Sequence, residues 1–308
     1  MIVVFGSLNV DMVLEVENMP TPGDTILCNE YKLFPGGKGA NQAVAAAKAG
    51  ASVKMYGSIG PDNFGQIACS ELKKVGVDIS GVITQTKPTG CATICVDKNG
   101  ENMITVASGA NLDTKAEIVP DTALIESTTV VLQMETPSQQ NFELINRAAA
   151  KGSKVILNLA PAKIIPEDVL KKVSVLIVNE LEANVLALNL GFDVISAHSA
   201  AKKISTMFKI TCVVTVGSKG AYVCHDDESW HVNAMEIKPI DTTAAGDSFV
   251  GALAAYIDKG GSIEKAIHFA SVASGLTCCK IGAQPSLPTL AEIESSLSSV
   301  PKPTKVTN

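Results

Sequence analysis

The 308-residue chain predicts an α/β fold in which a mainly parallel sheet is covered by helices on both faces. Short runs of β-branched residues alternate with stretches of helical pattern through most of the sequence. The strand-like runs are apolar throughout instead of alternating with polar residues, which predicts strands buried on both faces. A hydrophobic fraction of 46% against 18% charged residues supplies enough material for such a core.

The elements follow this alternation from the first residues onward. Residues 2–5 are apolar and predict the first strand, and an alanine-rich helix follows the glycines near residue 37. Because ligands of such sheets bind beyond the carboxyl ends of the strands, the residues after each strand are the first candidates for a site. The second half predicts strands at 130–134, 155–159, 175–178 and 212–216, and helices at 139–150, 166–173, 180–188 and 248–257.

Two regions, 11–35 and 90–108, interrupt the alternation of strands and helices. The first has alternating residues and a proline-glycine turn, and the second has two alternating runs joined by the turn 97–100, DKNG, which predicts a hairpin. Two antiparallel pieces too small to bury their own faces should pack together as a small extra sheet. We interpret that sheet as a lid, and an edge extension or dimerisation flap is a compatible alternative. The resulting division gives an α/β core of residues 1–11, 37–88 and 109–308, and a β lid of residues 12–36 and 89–108.

Composition disfavours several classes of function. A net charge of −6, without lysines clustered among aromatic residues, disfavours a nucleic-acid partner. No run of 18 apolar residues predicts a membrane span, and the first residues lack the basic segment of a signal peptide. Eight scattered cysteines predict reduced thiols, and neither they nor the four histidines have a common zinc-ligand spacing. We therefore expect a cytoplasmic protein with no nucleic-acid or membrane partner.

The segment 241–249, DTTAAGDSF, carries the most information about chemistry. Small residues at the start of a helix leave backbone N–H groups open to an anion, and the helix dipole adds to the attraction. Asp247 beside them has two interpretations: it caps its own helix, or it takes a proton from a group that approaches a bound phosphate. The segment alone leaves both open.

Polar residues also follow the early strands. Asn9 and Asp11, two apart on an extended segment, present an amide and a carboxylate to vicinal hydroxyls or cap a turn. The glycines of 35–42, PGGKGANQ, let backbone approach a ligand or form only a tight turn before a helix. This segment is not a P-loop, because the Lys-Ser/Thr ending is absent. Glu135 comes just after a buried strand.

Two later strand ends have the same ambiguity. Asn179 and Glu182, three apart at a helix start, form a capping box or lie beside a hydrated Mg²⁺ near phosphates. Residues 215–220, TVGSKG, form a plain hairpin turn or a loop facing a nucleotide. No single motif decides between a structural and a functional role. A purely structural explanation, however, would need a separate reason for the polar or glycine residues at each of six strand ends.

Taken together, these residues resemble the ribokinase branch of the PfkB carbohydrate kinase family from Val3 to about Pro288. The two signature regions of that family are similar to 36–43, GGKGANQA, and to 241–249. Further matches are at 6–11, 100–102, 109–111 and 282–286.

The resemblance implies a three-layer α/β core with a small β lid, and transfer of the ATP γ-phosphoryl group to a sugar hydroxymethyl group, in ribokinases the 5-hydroxyl of D-ribose. It implies that Asp247 is the general base and that the amides of Ala244, Ala245 and Gly246 stabilise charge on the transferred group. The sugar contacts that it implies are Asn9, Asp11, Gly37, Lys38, Gly39, Ala40, Asn41, Glu135 and Asp247.

The same resemblance implies a nucleotide site and two cations. Glu182 would organise Mg²⁺ through water, and Ser271 departs from the histidine that several ribokinases have near the adenine. The ATP contacts that it implies are Asn179, Thr215, Val216, Gly217, Ser218, Lys219, Gly220, Gly246, Asp247 and Ser271. The positions that it implies around K⁺ are Asp241, Thr243, Thr277, Lys280, Gly282 and Ser286.

The identity of the substrate stays open between ribose, 2-deoxyribose, a fructose derivative and a nucleoside. A non-catalytic sugar-binding protein with this fold is the alternative from another class. Asp11 and Glu135 favour a small polyol over a nucleoside, whose base needs aromatic partners in a chain with only 4% aromatic residues. The lid further predicts a homodimer in which strands from two subunits pair.

Overall fold

The strands of the chain belong to two sheets, a large one and a small one. The computed structural model describes residues 1–98 and 101–306. The strands in this part of the chain are β1 (Ile2–Phe5), β2 (Asn9–Glu15), β3 (Tyr31–Gly36), β4 (Val53–Ile59), β5 (Asp78–Thr84), β6 (Gly90–Val96), β7 (Asn102–Ala107), β8 (Thr129–Leu132), β9 (Lys154–Asn158), β10 (Val175–Asn179), β11 (Thr211–Thr215), β12 (Ala221–His225), β13 (Glu228–Val232) and β14 (Thr304–Lys305).

The large sheet is mainly parallel, as predicted. Over the described residues its ten strands run in the order β14-β13-β12-β11-β10-β9-β8-β1-β4-β5. Every pairing from β11 to β5 is parallel, whereas β12, β13 and β14 add an antiparallel edge. Parallel strands all present their carboxyl ends at one edge, so residues distant in sequence meet there.

Helices cover both faces of this sheet and give it three layers. Along β1, Ile2 and Val4 pack into one apolar cluster while Val3 and Phe5 pack into another on the opposite face. This explains why the strands are apolar at every position. The helices in the described residues are α1 (Lys38–Lys48), α2 (Asn63–Ala68), α3 (Ser70–Lys74), α4 (Ser138–Ala150), α5 (Glu167–Leu170), α6 (Glu180–Asn189), α7 (Ala197–Phe208), α8 (Ala245–Asp258), α9 (Ile263–Thr277) and α10 (Leu290–Ser296).

Most predicted elements are present to within a few residues, but the helix predicted at 166–173 is wrong in length. Pro166 precedes α5, which has four residues. The Val173 amide then donates to the Leu170 carbonyl at 3.0 Å, and this tight turn brings the chain directly to β10. None of the helices in residues 1–98 and 101–306 combines the length and apolar character needed to cross a bilayer.

The two interrupting regions form the small extra sheet. Its strand order, for the part of the chain that is described, is β3-β2-β6-β7. The pairs β2–β3 and β6–β7 are antiparallel, as predicted for each region, and the parallel pair β2–β6 joins them. The turn residues Asn99 and Gly100 lie outside the described residues, as does the Gly100 part of the 100–102 match, and β6 and β7 pair on either side of them.

Candidate active site

The segment 241–249 builds the start of α8. Ala244 precedes the helix with a left-handed backbone at φ 61°, a conformation that costs an L-residue about 1–2 kcal/mol. The first hydrogen bond inside the helix runs from the Ser248 amide to the Ala244 carbonyl at 2.8 Å, so the Gly246 and Asp247 amides are not used within it. The Ala245 amide donates to the Thr242 carbonyl at 3.2 Å. Of the three predicted donors, Gly246 is the exposed residue, whereas Ala244 and Ala245 are half-buried.

Asp247 does not cap α8, so that interpretation is wrong. Ala244 occupies the capping position, and Asp247 is the third residue of the helix. Its carboxylate is 6% exposed and accepts hydrogen bonds from two amides of α1, Asn41 Nδ2 to Oδ2 at 2.9 Å and Gln42 Nε2 to Oδ1 at 2.9 Å. The carboxylate thus faces α1 across the end of the sheet.

The glycines of the 35–42 segment allow close packing of backbone. Gly37, with φ 89°, precedes α1, and a Cβ there would lie 2.8 Å from the Asn9 amide nitrogen. A Cβ on Gly39 would lie 2.6 Å from the Ser7 amide nitrogen. The prediction of a tight turn is therefore correct for this segment. Ala40 is fully buried and its amide donates to the Ser7 carbonyl at 3.0 Å, which makes it a packing residue.

Glu135 and Asn9 lie beside this turn, and two of their hydrogen-bond partners, Ser7 and Asn111, were not predicted as site residues. Glu135 Oε2 accepts from Ser7 Oγ at 2.5 Å and from the Lys38 amide at 3.1 Å. Asn9 Oδ1 accepts from Asn111 Nδ2 at 2.7 Å. Asn111 lies in the 109–111 match, which was the available signal.

Asp11 has the most perturbed carboxyl group of the site. Burial raises the pKa of Asp11 to about 6, and the charges of Glu135 and Asp247 add to the effect. The charge of Asp247 raises the pKa of Lys38 against the opposing effect of burial, with smaller contributions from Glu135 and Glu182. The structure therefore brings four acidic groups and one lysine, all separate in sequence, into one electrostatic neighbourhood.

Two adjoining cavities open at this edge of the sheet, of about 240 and 300 Å³. Thr215, Thr242, Ala245 and Gly246 line both. The polar one contains Lys38, Asn158, Asn179, Glu182 and Asp247. The second is mainly apolar and contains Gly217, Ser218, Gly220, Met235, Ile237, Phe249, Ser271 and Cys278. A polar compartment joined to an apolar one suits a ligand with an anionic end and a flat apolar end.

The 215–220 loop borders the apolar cavity, but only some of its residues line it. Val216 is buried beneath it, and Lys219 is exposed, with its carbonyl hydrogen-bonded to His231 Nε2 at 2.9 Å. Ser271 Oγ donates to the Asn233 carbonyl at 2.8 Å, so its hydroxyl proton is engaged away from the cavity. Thr215, Gly217, Ser218 and Gly220 are the members of the loop that line the space.

Asn179 and Glu182 form the predicted capping box at the start of α6. Asn179 Oδ1 accepts from the Glu182 amide at 2.8 Å, and Glu182 Oε2 accepts from the Asn179 amide at 2.8 Å. Burial raises the pKa of Glu182, although the Asn179 amide and the charge of Lys38 oppose it. The box uses one carboxylate oxygen only, so the donor set suits a Mg²⁺ that keeps its water and phosphate ligands.

The residues implied around K⁺ lie where 241–243 approaches 277–286. Asp241 accepts from the Thr243 amide at 2.9 Å and from the Gly282 amide at 2.8 Å. Burial acts to raise the pKa of Asp241, but these hydrogen bonds outweigh it and the pKa is lowered. Thr277 Oγ1 donates to Ser248 Oγ, Ser286 Oγ to the Ala283 carbonyl, and Lys280 Nζ to Glu292. Within the described residues no three His, Cys, Asp or Glu side chains converge as metal ligands.

Comparison with known proteins agrees with this geometry. The family model for pfkB family carbohydrate kinases matches residues 1–290. A ribokinase of Staphylococcus aureus is 37% identical over 300 residues, covering 95% of this chain and 98% of its own length. A ribokinase structure from Thermotoga maritima aligns with a TM-score of 0.90 at 35% identity, covering 96% and 99% of the two chains. An Arabidopsis thaliana ribokinase complexed with ribose and ATP aligns at 0.87 and 30% identity, covering 96% and 98%. The chain belongs to the pfkB family of carbohydrate kinases.

Proposed function

We propose that the protein is an ATP-dependent ribokinase that phosphorylates the 5-hydroxyl of D-ribose. The observation that carries the proposal is the placement of the buried Asp247 carboxylate between the polar turn before α1 and the amide-lined start of α8. Ribokinases align with nearly the whole chain at 30–37% identity, and one was solved with ribose and ATP.

The sugar lies, in this proposal, against the turn formed by Asn9, Asp11, Asn41 and Glu135. Their amides and carboxylates offer donors and acceptors to several hydroxyl groups at once. Gly37 and Gly39 let this turn pack against the backbone of Ser7 and Asn9, which brings the polar side chains together. Lys38, half-buried near the carboxylates of Asp247 and Glu135, supplies the positive charge of the site.

Asp247 acts as the general base. It takes the proton of the 5-hydroxyl as that oxygen forms a bond to the γ-phosphorus of ATP and the bond from that phosphorus to the bridging oxygen of ADP breaks. The N-terminus of α8, through the Gly246 amide and its neighbours, stabilises charge on the transferred group. ADP leaves, and the proton returns from Asp247 to solvent.

ATP occupies both cavities, with its phosphates in the polar compartment and its base in the apolar one. The mainly apolar lining beyond Gly217 and Gly220 supports this orientation. A divalent cation, when bound, neutralises charge on the phosphates, and Glu182 and Asn179 are the residues that hold its water ligands. K⁺ binding at Asp241 and the carbonyls near Gly282 is also part of the proposal, supported by the contact between those two segments.

The division into a core and a β lid, the dimer and the cytoplasmic location complete the proposal. Apolar side chains of the small sheet are exposed, among them Tyr31 at 59% and Ile104 at 53%, which suits pairing with a second copy. The eight cysteines are free thiols, which suits a reducing compartment. A purified protein with a clean monomer mass at micromolar concentration would contradict the dimer.

The deciding experiment compares kcat/KM for ribose, 2-deoxyribose, fructose and ribonucleosides in a coupled ADP-release assay. We expect ribose to exceed the others by at least about tenfold, because a site built to hydrogen-bond a hydroxyl discriminates against an analogue lacking it. A preference for 2-deoxyribose or a nucleoside would replace ribose as the substrate. Absence of ADP release with every carbohydrate would favour a sugar-binding protein without catalysis.

A further inference from the structure

Three buried side-chain amides form a connected hydrogen-bond network behind Asp247. Gln42 Nε2 donates to Asp247 Oδ1 at 2.9 Å and to Asn158 Oδ1 at 3.0 Å. Gln133 Nε2 donates to Gln42 Oε1 at 2.7 Å. Gln42 and Gln133 have no exposed surface, whereas Asn158 is 8% exposed and lines the polar cavity.

The neighbours of Gln42 fix which way its amide points. Asn158 Nδ2 donates to the Ile177 carbonyl at 3.2 Å, which turns Asn158 Oδ1 toward Gln42. If the Gln42 amide were reversed, its oxygen would face two acceptor oxygens and its NH₂ group would face the NH₂ group of Gln133. Gln42 therefore presents a donor to Asp247 because of contacts that do not involve Asp247 itself.

The position of the Gln133 side chain constrains a neighbouring residue and leaves one of its own polar atoms unpaired. A Cβ on Gly6 would lie 2.0 Å from Gln133 Oε1 and 2.8 Å from the Gly39 Cα, so glycine leaves space for both the Gln133 side chain and the backbone of α1. Gln133 Oε1 is buried and has no hydrogen-bond partner among the described residues. An unpaired buried acceptor is unfavourable, which indicates that the position of Gln133 serves its contact with Gln42.

We propose that Gln42 is a positioning residue for the general base, and that Gln133 and Asn158 orient Gln42 for that task. The proposal rests on the proposed role of Asp247. Asn41 and Gln42 each occupy one carboxylate oxygen, which fixes the rotation of the carboxylate and leaves the remaining lone pairs to face the cleft. Asn41 also borders the sugar turn, whereas Gln42 is fully buried and acts only through Asp247.

The test is the variant Gln42→Met, which keeps the length of the side chain and removes its donor. We expect kcat to fall by about 10-fold to 100-fold, with the KM for sugar and for ATP within about threefold of the wild type, because only the reacting geometry is lost. Gln85→Met is the matched control, since Gln85 Nε2 donates to the Asp113 carbonyl at 3.3 Å and is not part of the network. It should keep the wild-type kcat.

A double variant separates positioning from a merely structural role. In an Asp247→Asn background, Gln42→Met should lower kcat by less than about twofold, because the group through which it acts is already altered. Equal losses in both backgrounds, or a wild-type kcat in folded Gln42→Met, would overturn the proposal.

Gln133→Met gives a second route if Gln42→Met does not fold. It leaves Asp247 and its two donors in place and removes only the donor to Gln42 Oε1, so Gln42 loses one of the contacts that orient it. We therefore expect a loss in kcat of about threefold to tenfold at unchanged KM. A wild-type kcat, or failure of both variants to fold, would make the network structural and overturn the proposal. The sugar used is the best substrate of the wild type, so absence of turnover in the wild type contradicts the proposed function and not the positioning role.

Discussion

Asp247 and Asp11 are carboxylates of one cleft with different surroundings. Asp247 accepts two amide hydrogen bonds, whereas Asp11 is buried near the charges of Glu135 and Asp247, and this burial holds its pKa at about 6. Carboxylates in such different environments serve different tasks. In the proposed mechanism Asp247 accepts a proton in the reaction, and Asp11 accepts hydrogen bonds from hydroxyl groups of the sugar.

The substitution Asp247→Asn should lower kcat by at least about 10²-fold, because it removes the general base. The coupled ADP-release assay measures this directly. Asp258→Asn is the matched control on the same helix, since Asp258 pairs with the amino group of Met1 at 3.0 Å. It should lower stability slightly and keep kcat, and a near-normal kcat for Asp247→Asn would end the proposed mechanism.

Asp11→Asn should stabilise the free protein at neutral pH while weakening sugar binding. The folded-state pKa of Asp11, about 6, is above its ordinary value of 3.8, so its favourable contribution is present below pH 3.8 and is lost as the pH rises through 6. The unfolding free energy of the variant minus that of the wild type should therefore be near zero below pH 3.8 and positive above about pH 6. Urea denaturation across this range measures it.

Asp193→Asn, at an exposed position, is the control for replacing a carboxylate as such. A difference between Asp11→Asn and wild type that stays constant across the same pH range would contradict the role of ionisation.

At the scale of elements, the glycines at the starts of α1 and α8 differ in whether packing requires them. A Cβ on Gly39 would collide with the backbone of Ser7 and Gly6, whereas a Cβ on Gly246 would meet nothing within 4 Å. Glycine at 39 is thus required for packing α1 against the end of β1. At 246 the open space lies in the cleft, so packing does not require glycine there.

Gly246→Ala should therefore keep or raise stability, by about 0.4–1 kcal/mol, and still lower kcat/KM for ATP. The added methyl group enters the space that the phosphates need. Gly39→Ala is the contrasting variant and should lower stability by about 1–3 kcal/mol, because backbone must move. Thermal unfolding and ATP kinetics on both variants give the comparison, and full ATP activity in Gly246→Ala would contradict a phosphate site at this helix start.

The elements themselves were largely predictable, and their contacts were not. Apolar runs such as 130–134 predicted β8 because burial on both faces leaves a clear pattern. The role of Gln42 was missed because the same residue type is common on exposed helix surfaces, and only the packing of α1 against β8 and β9 shows what it contacts. The cap interpretation of Asp247 failed for a related reason, since its two donors come from residues about 205 positions away.

At the scale of the molecule, the small sheet and the large sheet meet at the turn before α1. Asn9 and Asp11 belong to β2, while Glu135 follows β8 and Asp247 lies in α8. A sugar that contacts both sets links the lid to the core. We expect closure of the lid on binding, a motion typical of enzymes that exclude water from phosphoryl transfer.

Limited proteolysis should detect this closure. The connection 16–30 has no regular secondary structure, and Glu17 and Glu30 in it are exposed. With a glutamyl endopeptidase we expect ribose and a non-hydrolysable ATP analogue to slow cleavage there by about fivefold or more, because binding lowers the population of open states. Cleavage at the exposed Glu126, near the opposite end of β8, is the control and should not change.

The strand β7 affects how the newly synthesised protein behaves before it assembles. Its six residues, NMITVA, are all exposed, uncharged and free of proline, and they pair with β6 on one side. Such a segment has the features of sequences that stack into cross-β aggregates. During rapid synthesis, newly folded chains would offer this edge to one another in any register, so overexpression should favour inclusion bodies. The substitution Val106→Lys would place a gatekeeper charge on the edge and raise the soluble yield.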